Sequence, residues 1–380
     1  MTIGLAAAAG YAGLGAAPEK PAGPRDDGGV LDEALRLMHR QEPRCPQGLS
    51  THAPMVAEAL CALGYAERAA SWVTSYDRPV LTLPAPSVPI AAARWREALG
   101  PRLGIISWEE ANARWGDWRE LFTAELAGSR WQDVLDRWVA RLAPGMSGAA
   151  THGVIRTAHA VRSMARRETP ERRAELARGL AYWASSYEEL PARPGRRARF
   201  ETFADALGEV PLYWQAFGRS PEGRNIVEQI RHVTELDRFA EVRDMVLPPA
   251  DLATALSALT ATFARVYLRH GTRNHTIGFV HAVTGPASLR RMVPHMGPET
   301  ARAAFPFAWQ TAAALYAAYA REHGLARAEE SRLAPDELAA RAVKNGDEHA
   351  IKLTEVMLAE HRINPDPIYL AAAEDVITRL

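Results

Sequence analysis

The feature that most constrains this chain is the helical period of its apolar residues. Leu31, Ala34, Leu35 and Met38 fall at i, i+3, i+4 and i+7, a single stripe on a helix with 3.6 residues per turn. Trp131, Val134, Leu135, Trp138, Val139 and Leu142 repeat the pattern, and Pro144-Gly145 stops it. Strand patterns do not compete. Val80-Leu81-Thr82-Leu83 is short and is followed by Pro84, Pro86 and Pro89, which suits an extended crossing because proline cannot donate to a ladder. The period predicts an all-α fold, with further helices near 54–72, 172–189, 200–217, 224–244, 250–269, 300–322, 335–344 and 348–361.

Start signals support the same reading. Ser107-Trp108-Glu109-Glu110 has the form of a capping box, and Thr169-Pro170 places a cap before a proline at the first helical position. Residues 1–29 are rich in Ala, Gly and Pro, and their first basic residue is Lys20. They lack the positive start of a secretory signal and read as a flexible tail, a weak signal peptide being the lesser alternative. Residues 30–380 then form one helical domain. The best candidate for an exposed linker within it is Pro191 to Arg199, with two prolines, Gly195 and four arginines.

Composition narrows the function classes. Lys plus Arg and Asp plus Glu each number 45, so the chain lacks the basic excess that phosphate backbones reward, and no general nucleic-acid partner is expected. No run approaches the roughly 20 apolar residues of a membrane span. Two cysteines, Cys45 and Cys61, build no disulfide framework and suit a reducing compartment, the cytoplasm. The Gly-rich dinucleotide and P-loop signatures, Cys-x-x-Cys, His-Glu-x-x-His and the Gly-x-Ser-x-Gly elbow are all missing.

What stands out is twelve histidines, four of them in apolar helical sequence. His52 follows Ser50-Thr51, either of which can cap, and precedes Pro54, which belongs in a first turn. His152 follows Gly145-Met146-Ser147-Gly148. His281 lies in an apolar run ending at Gly285-Pro286. His349 follows Asp347, a natural cap. Each is also the pattern of a satisfied core histidine, and spacing does not by itself assemble residues 52, 152, 281 and 349. Lys352 shares one helix face with His349. A buried lysine loses its proton readily, and its neutral amine can ligate a metal or take up carbon dioxide to become a carbamate. His159, seven residues after His152, can line a cavity above such a site. His39, His232, His270, His295, His323 and His361 sit among charged or loop residues and are expected to be exposed.

At these positions the sequence resembles the questin oxidase-like family of helical proteins. The stretches that carry it are Thr51-His52-Ala53-Pro54-Met55, His152-Gly153-Val154-Ile155-Arg156, Leu180-Ala181-Tyr182-Trp183, His281-Ala282-Val283-Thr284, and Asp347 to Glu355, in family order over roughly residues 30 to 375. The resemblance implies an oxygenase of polycyclic aromatic polyketides, anthraquinones especially. Its reaction would be oxidative ring C–C cleavage or Baeyer–Villiger-like oxygen insertion, with dioxygen as co-substrate. It implies a non-haem iron(II) held by His52, His152, His281, His349 and Lys352, the lysine either free or carboxylated, with His349 and Lys352 at the catalytic centre.

Four imidazoles and one anionic oxygen leave an octahedral position open for dioxygen. Thr284 and Glu355 are then candidates to support the ligands, Glu355 being otherwise a surface residue of the same helix. Arg156, His159, Phe279 and Trp183 are candidates to bind substrate, Arg156 being equally suited to a buried ion pair. At His159 the family pattern leads one to expect an aromatic such as Tyr, which bears on the substrate. Two alternatives remain at this level: a metal-free, NADPH-assisted Baeyer–Villiger-type oxidase using the histidines as acid–base groups, and a non-catalytic helical protein that carries a polyketide.

Overall fold

The computed structural model describes residues 28–38, 45, 49–76, 78–80, 85–100, 114–193, 200–272, 275–327 and 331–380. Most of the tail, His39, the Ser107 capping box with Trp108, and residues 81–84 and 194–199 lie outside the described residues. Every regular element among the described residues is helical, and two isolated bridges, Met146 with Glu188 and Phe200 with Val246, are the β-type pairings there. The all-α expectation therefore holds. No helix among the described residues is long and apolar enough to cross a membrane.

In chain order the α-helices are α1 (Val30–Met38), α2 (Ala53–Leu63), α3 (Ala69–Ser75), α4 (Trp115–Gly128), α5 (Trp131–Leu142), α6 (His152–Arg166), α7 (Pro170–Ser185) and α8 (Phe203–Leu207). There follow α9 (Tyr213–Phe217), α10 (Ile226–Arg231), α11 (Leu252–His270), α12 (Thr276–Met292), α13 (Pro298–Tyr319), α14 (Pro335–Asn345), α15 (Glu348–Ile363) and α16 (Pro367–Arg379). Two expected boundaries are met by side-chain caps. The Thr169 hydroxyl accepts from Arg172 N at 3.3 Å, and Asp347 accepts from His349 N and Ala350 N at 2.7 and 3.0 Å.

Elsewhere the pattern overran the helix. The run expected over 54–72 breaks at Gly64, whose φ of +90° closes α2 in the left-handed form that favours glycine. The run 200–217 splits into α8 and α9 around Gly208 and Pro211, and 224–244 splits into α10 and two 3₁₀ turns around Arg238, at φ +70°. The opposite error occurs at Gly285-Pro286. There α12 continues to Met292, since a proline removes only its own donor and the neighbouring turns keep theirs. Helices α4 and α16 were not anticipated. Ser50 and Thr51 do not cap α2; the Ser50 hydroxyl bonds Tyr182 OH instead. His270 is buried rather than exposed, its Nε2 2.9 Å from Gly324 O.

Four helices close a ring: α2 packs on α6, α6 on α12, α12 on α15, and α15 on α2. The backbones come close where side chains are absent. A Cβ on Gly153 of α6 would lie 2.5 Å from Trp183 Cα of α7. Around this ring, Trp118, Phe122 and Trp138 fill the α4–α5 side with ring-to-ring contacts of 4.8–5.7 Å.

Candidate metal centre

Each helix of that ring contributes one imidazole to a buried cluster. His52 stands at the start of α2, His152 is the first residue of α6, His281 lies in the second turn of α12, and His349 is the second residue of α15. Their ring centroids also close a circle: 4.7 Å from His52 to His152, 4.6 Å to His281, 5.7 Å to His349, and 4.6 Å back to His52. All four side chains are at least nine-tenths hidden from solvent as residues, and Lys352 beside them is 1% exposed.

The turn before α6 orients two of these rings. Ala149, Ala150 and Thr151 have φ of +49°, +52° and +68°, left-handed conformations that cost a non-glycine residue roughly 1–2 kcal/mol each. The strained carbonyls have a use. Ala149 O lies 2.6 Å from His152 Nδ1, and Ala150 O lies 2.7 Å from His281 Nδ1. A carbonyl only accepts, so both Nδ1 atoms carry a proton, and in the neutral ring Nε2 then keeps its lone pair. Gly145 and Gly148 allow this segment to pass: a Cβ at either would meet the Tyr187 ring or Ser186 O at 2.2 and 1.9 Å.

The third ring faces a carboxylate. Glu348 Oε1 lies 3.4 Å from His52 Nδ1, 3.9 Å from His349 Nδ1 and 3.0 Å from Arg78. His52, Glu348 and His349 present ligand atoms within 4.8 Å of one another. Sequence reading missed Glu348, because an acidic residue in a first turn is read as a partner of the helix dipole.

Burial pushes the His52 and His349 pKa values well below the ordinary range, aided by the Lys352 charge, and lowers His281 to about 3. Burial also lowers Lys352, to about 8, against the opposing pull of Glu348 and Asp347. Three of the imidazoles, His52, His281 and His349, are therefore held neutral beside an amine that deprotonates within reach of neutrality.

Nε2 of His52 and Nε2 of His152 are 2.8 Å apart. Two nitrogens bound at right angles to one ion, each at 2.0–2.1 Å, would be about 2.9 Å apart, so this edge fits a shared cation. The donor set of nitrogens suits iron, nickel, copper or zinc.

Of the other expected site residues, the structure brings some near and sends some away. Trp183 lies against Gly153, next to His152, with its indole N–H unbonded among the described residues. Arg156 spends two donors on Glu175 at 2.6 and 3.0 Å, the buried ion pair. Phe279 projects from α12 on the side opposite His281, toward His270 and Tyr319, and is core. The Thr284 hydroxyl donates to Val280 O of its own helix and supports no ligand.

Glu355 is neither a surface residue nor a partner of Lys352. It is fully buried and held by Arg162 and Arg291. His159 belongs to the same group: its Nδ1–H donates to Glu58 at 2.7 Å, and Glu58 also accepts from Arg162 Nε at 2.8 Å. These ions form a second tier on the ring helices, through Glu58 of α2, His159 and Arg162 of α6, Arg291 of α12 and Glu355 of α15. Burial would raise both carboxyls, but the guanidinium groups hold Glu58 well below its usual range and Glu355 at about 2.

No protein-family model matches the sequence, and comparison with curated proteins gave no significant relative.

Proposed function

We propose that the four imidazoles and Lys352 hold a divalent transition metal, iron(II), and that the protein is an oxygenase cleaving a ring C–C bond of a polycyclic aromatic polyketide. The observation that carries the metal is the convergence of His52, His152, His281 and His349 with two tautomers locked so that Nε2 faces inward. His52 adds to it. If His52 Nε2 carried the proton toward His152, its buried Nδ1 would turn a lone pair to Glu348, and that atom makes no hydrogen bond. With Nε2 given to a cation, Nδ1–H points at the carboxylate instead.

Iron(II) held by His52, His152, His281, His349 and Lys352 would supply the electron that ground-state dioxygen needs to react with a closed-shell ring. The chain's own groups do the rest. Ala149 and Ala150 carbonyls hold two imidazoles, Glu348 orients the third, and the walls of α2, α6, α12 and α15 exclude water. Lys352, with its lowered pKa, offers a neutral amine or, after taking up carbon dioxide, an anionic oxygen. The helix starts of α2, α6 and α15 turn their positive ends to this point, which favours an anionic ligand over a protonated ring. The aromatic substrate class and the iron rest on the resemblance; of the residues expected to bind substrate, Trp183 packs against Gly153, the residue after His152.

One observation favours a second reading. Burial raises the Glu348 carboxyl pKa, and a protonated Glu348 would donate to His52 Nδ1. His52 Nε2–H would then donate to His152, whose Nδ1–H donates to Ala149 O, giving a metal-free proton relay of the kind a Baeyer–Villiger-type oxidase with NADPH would use. Metal analysis and oxygen uptake with a hydroxyanthraquinone separate these. The first reading expects about one iron per chain, uptake abolished by chelation, and loss of both metal and turnover in His349→Ala. Turnover surviving chelation supports the relay, and tight pigment binding without uptake supports a carrier.

A further inference from the structure

Away from the imidazoles, a cavity of about 560 Å³ lies between Trp95, the end of α5, Tyr187 and Phe307. Its lining carries four guanidinium groups, Arg96, Arg137, Arg141 and Arg243, and one carboxylate, Glu189. That carboxylate already accepts the Tyr187 hydroxyl at 2.6 Å. Arg137 is paired with Glu125 and Arg243 with Asp244, both at 2.8 Å. The guanidinium groups of Arg96 and Arg141 have neither an ion pair nor a hydrogen bond among the described residues.

Both stack on one indole instead, 4.8 and 5.1 Å from the Trp95 ring centre, and Arg141 also lies 4.6 Å from that of Trp138. Burial lowers the Arg141 pKa, Glu125 opposes this, and the neighbouring Arg137 and Arg96 charges lower it further. Two like charges thus share an aromatic platform with their donor forks unused. Charge balance there calls for an anion, and the fork geometry suits a carboxylate or phosphate.

We propose that this cavity binds a small planar aromatic anion, its charge held by Arg96 and Arg141 and its ring system lying among Trp95, Tyr187 and Phe307. A bare phosphate would leave a space of this size largely unfilled, and an uncharged ring would leave the guanidinium pair unbalanced; cavities of roughly 300–1,000 Å³ are those of drug-sized ligands. Pro144 lines the cavity and stands five residues before Ala149, so at most about 18 Å of chain separates the occupant from the left-handed turn. The inference is independent of what the imidazoles hold. Two sources offer this chemistry, a purine nucleotide and an aryl acid.

The test titrates the full chain, metal-free, with adenosine monophosphate, 1-naphthoate, the uncharged 1-naphthalenemethanol and inorganic phosphate, read by tryptophan quenching and calorimetry. At least one aromatic anion should bind about tenfold or more tighter than the neutral alcohol and than phosphate. The Arg96→Gln/Arg141→Gln double variant should lose about tenfold in that affinity with an unchanged melting temperature. Tighter binding of the nucleotide or of naphthoate identifies the source. Equal binding of the neutral alcohol, indifference to the double variant, or no binding of either aromatic anion at millimolar concentration overturns the proposal. Should the double variant fail to fold, Arg96→Gln alone, on an exposed residue, carries the same comparison.

Discussion

His152 and His281 are each oriented by a backbone carbonyl, whereas His52 meets a carboxylate, and a carboxylate is replaceable by mutation. Glu348→Gln keeps the size of the side chain and removes its charge. The expected outcome is a metal affinity about 10–100-fold weaker with helix content unchanged, measured by competition with a chelator of known affinity. Unchanged affinity would mean that Glu348 does not orient His52. The Glu355 carboxylate sets a pH dependence of its own. Its pKa is about 2 in the folded chain against the ordinary 4.5, so the unfolded state binds the proton more readily. The stabilisation is complete above pH 4.5 and is lost as pH falls toward 2, in all about 3 kcal/mol. Glu355→Gln should flatten the acid-unfolding curve in that window while lowering stability at neutral pH, because Arg162 and Arg291 lose a shared partner. Acid titrations of stability that superimpose for variant and parent would show that Glu355 is not the group responsible. Histidines and Lys352 were legible as candidates because their residue types announce metal chemistry. Glu348 was not, since its type is ordinary at a helix start.

At the scale of elements, the four ring helices run the same way. In each, the imidazole precedes the charged residue of the second tier: His52 before Glu58, His152 before Arg162, His281 before Arg291, His349 before Glu355. Offsets of 6 to 10 residues place the tiers about 9–15 Å apart along the axes. Parallel neighbours cannot be joined by short turns, which explains why the four histidines lie so far apart in the chain. One close backbone approach onto this arrangement involves Gly153, where α7 packs on α6. Gly153→Ala would put its methyl 2.5 Å from Trp183 Cα, a backbone atom that cannot swing aside. It should destabilise the fold by about 1–3 kcal/mol, read from the denaturant midpoint. A midpoint equal to the parent's would show that α6 and α7 part without cost.

For the whole molecule, a metal at the ring would tie four distant segments together in the folded state alone. At a free concentration 100 times its Kd it would add about 2.7 kcal/mol to stability. Chelation should therefore lower the melting temperature of the parent and leave that of His349→Ala unchanged, in differential scanning fluorimetry. Equal response of the two proteins would separate the imidazoles from any metal effect. The buried ion tier does not require such a ligand, because Glu58 and Glu355 already have guanidinium partners from α6 and α12. One tier is balanced by the chain itself and the other gathers four buried imidazoles, a division that single helices do not reveal.

The helical class, the stop at Pro144-Gly145, the start at Thr169-Pro170 and the Asp347 cap were determined locally, by side-chain periodicity and by hydrogen bonds within a few residues. Breaks such as the one at Gly64 were under-read, because a glycine within an apolar pattern does not say which φ it takes until the chain must turn. The convergence of His52, His152, His281 and His349, the burial of Glu355, and the outward turn of Phe279 were decided by packing alone. Periodicity says that a residue faces a neighbour but not which neighbour, and the ring of α2, α6, α12 and α15 is made by contacts between segments that the chain order keeps far apart.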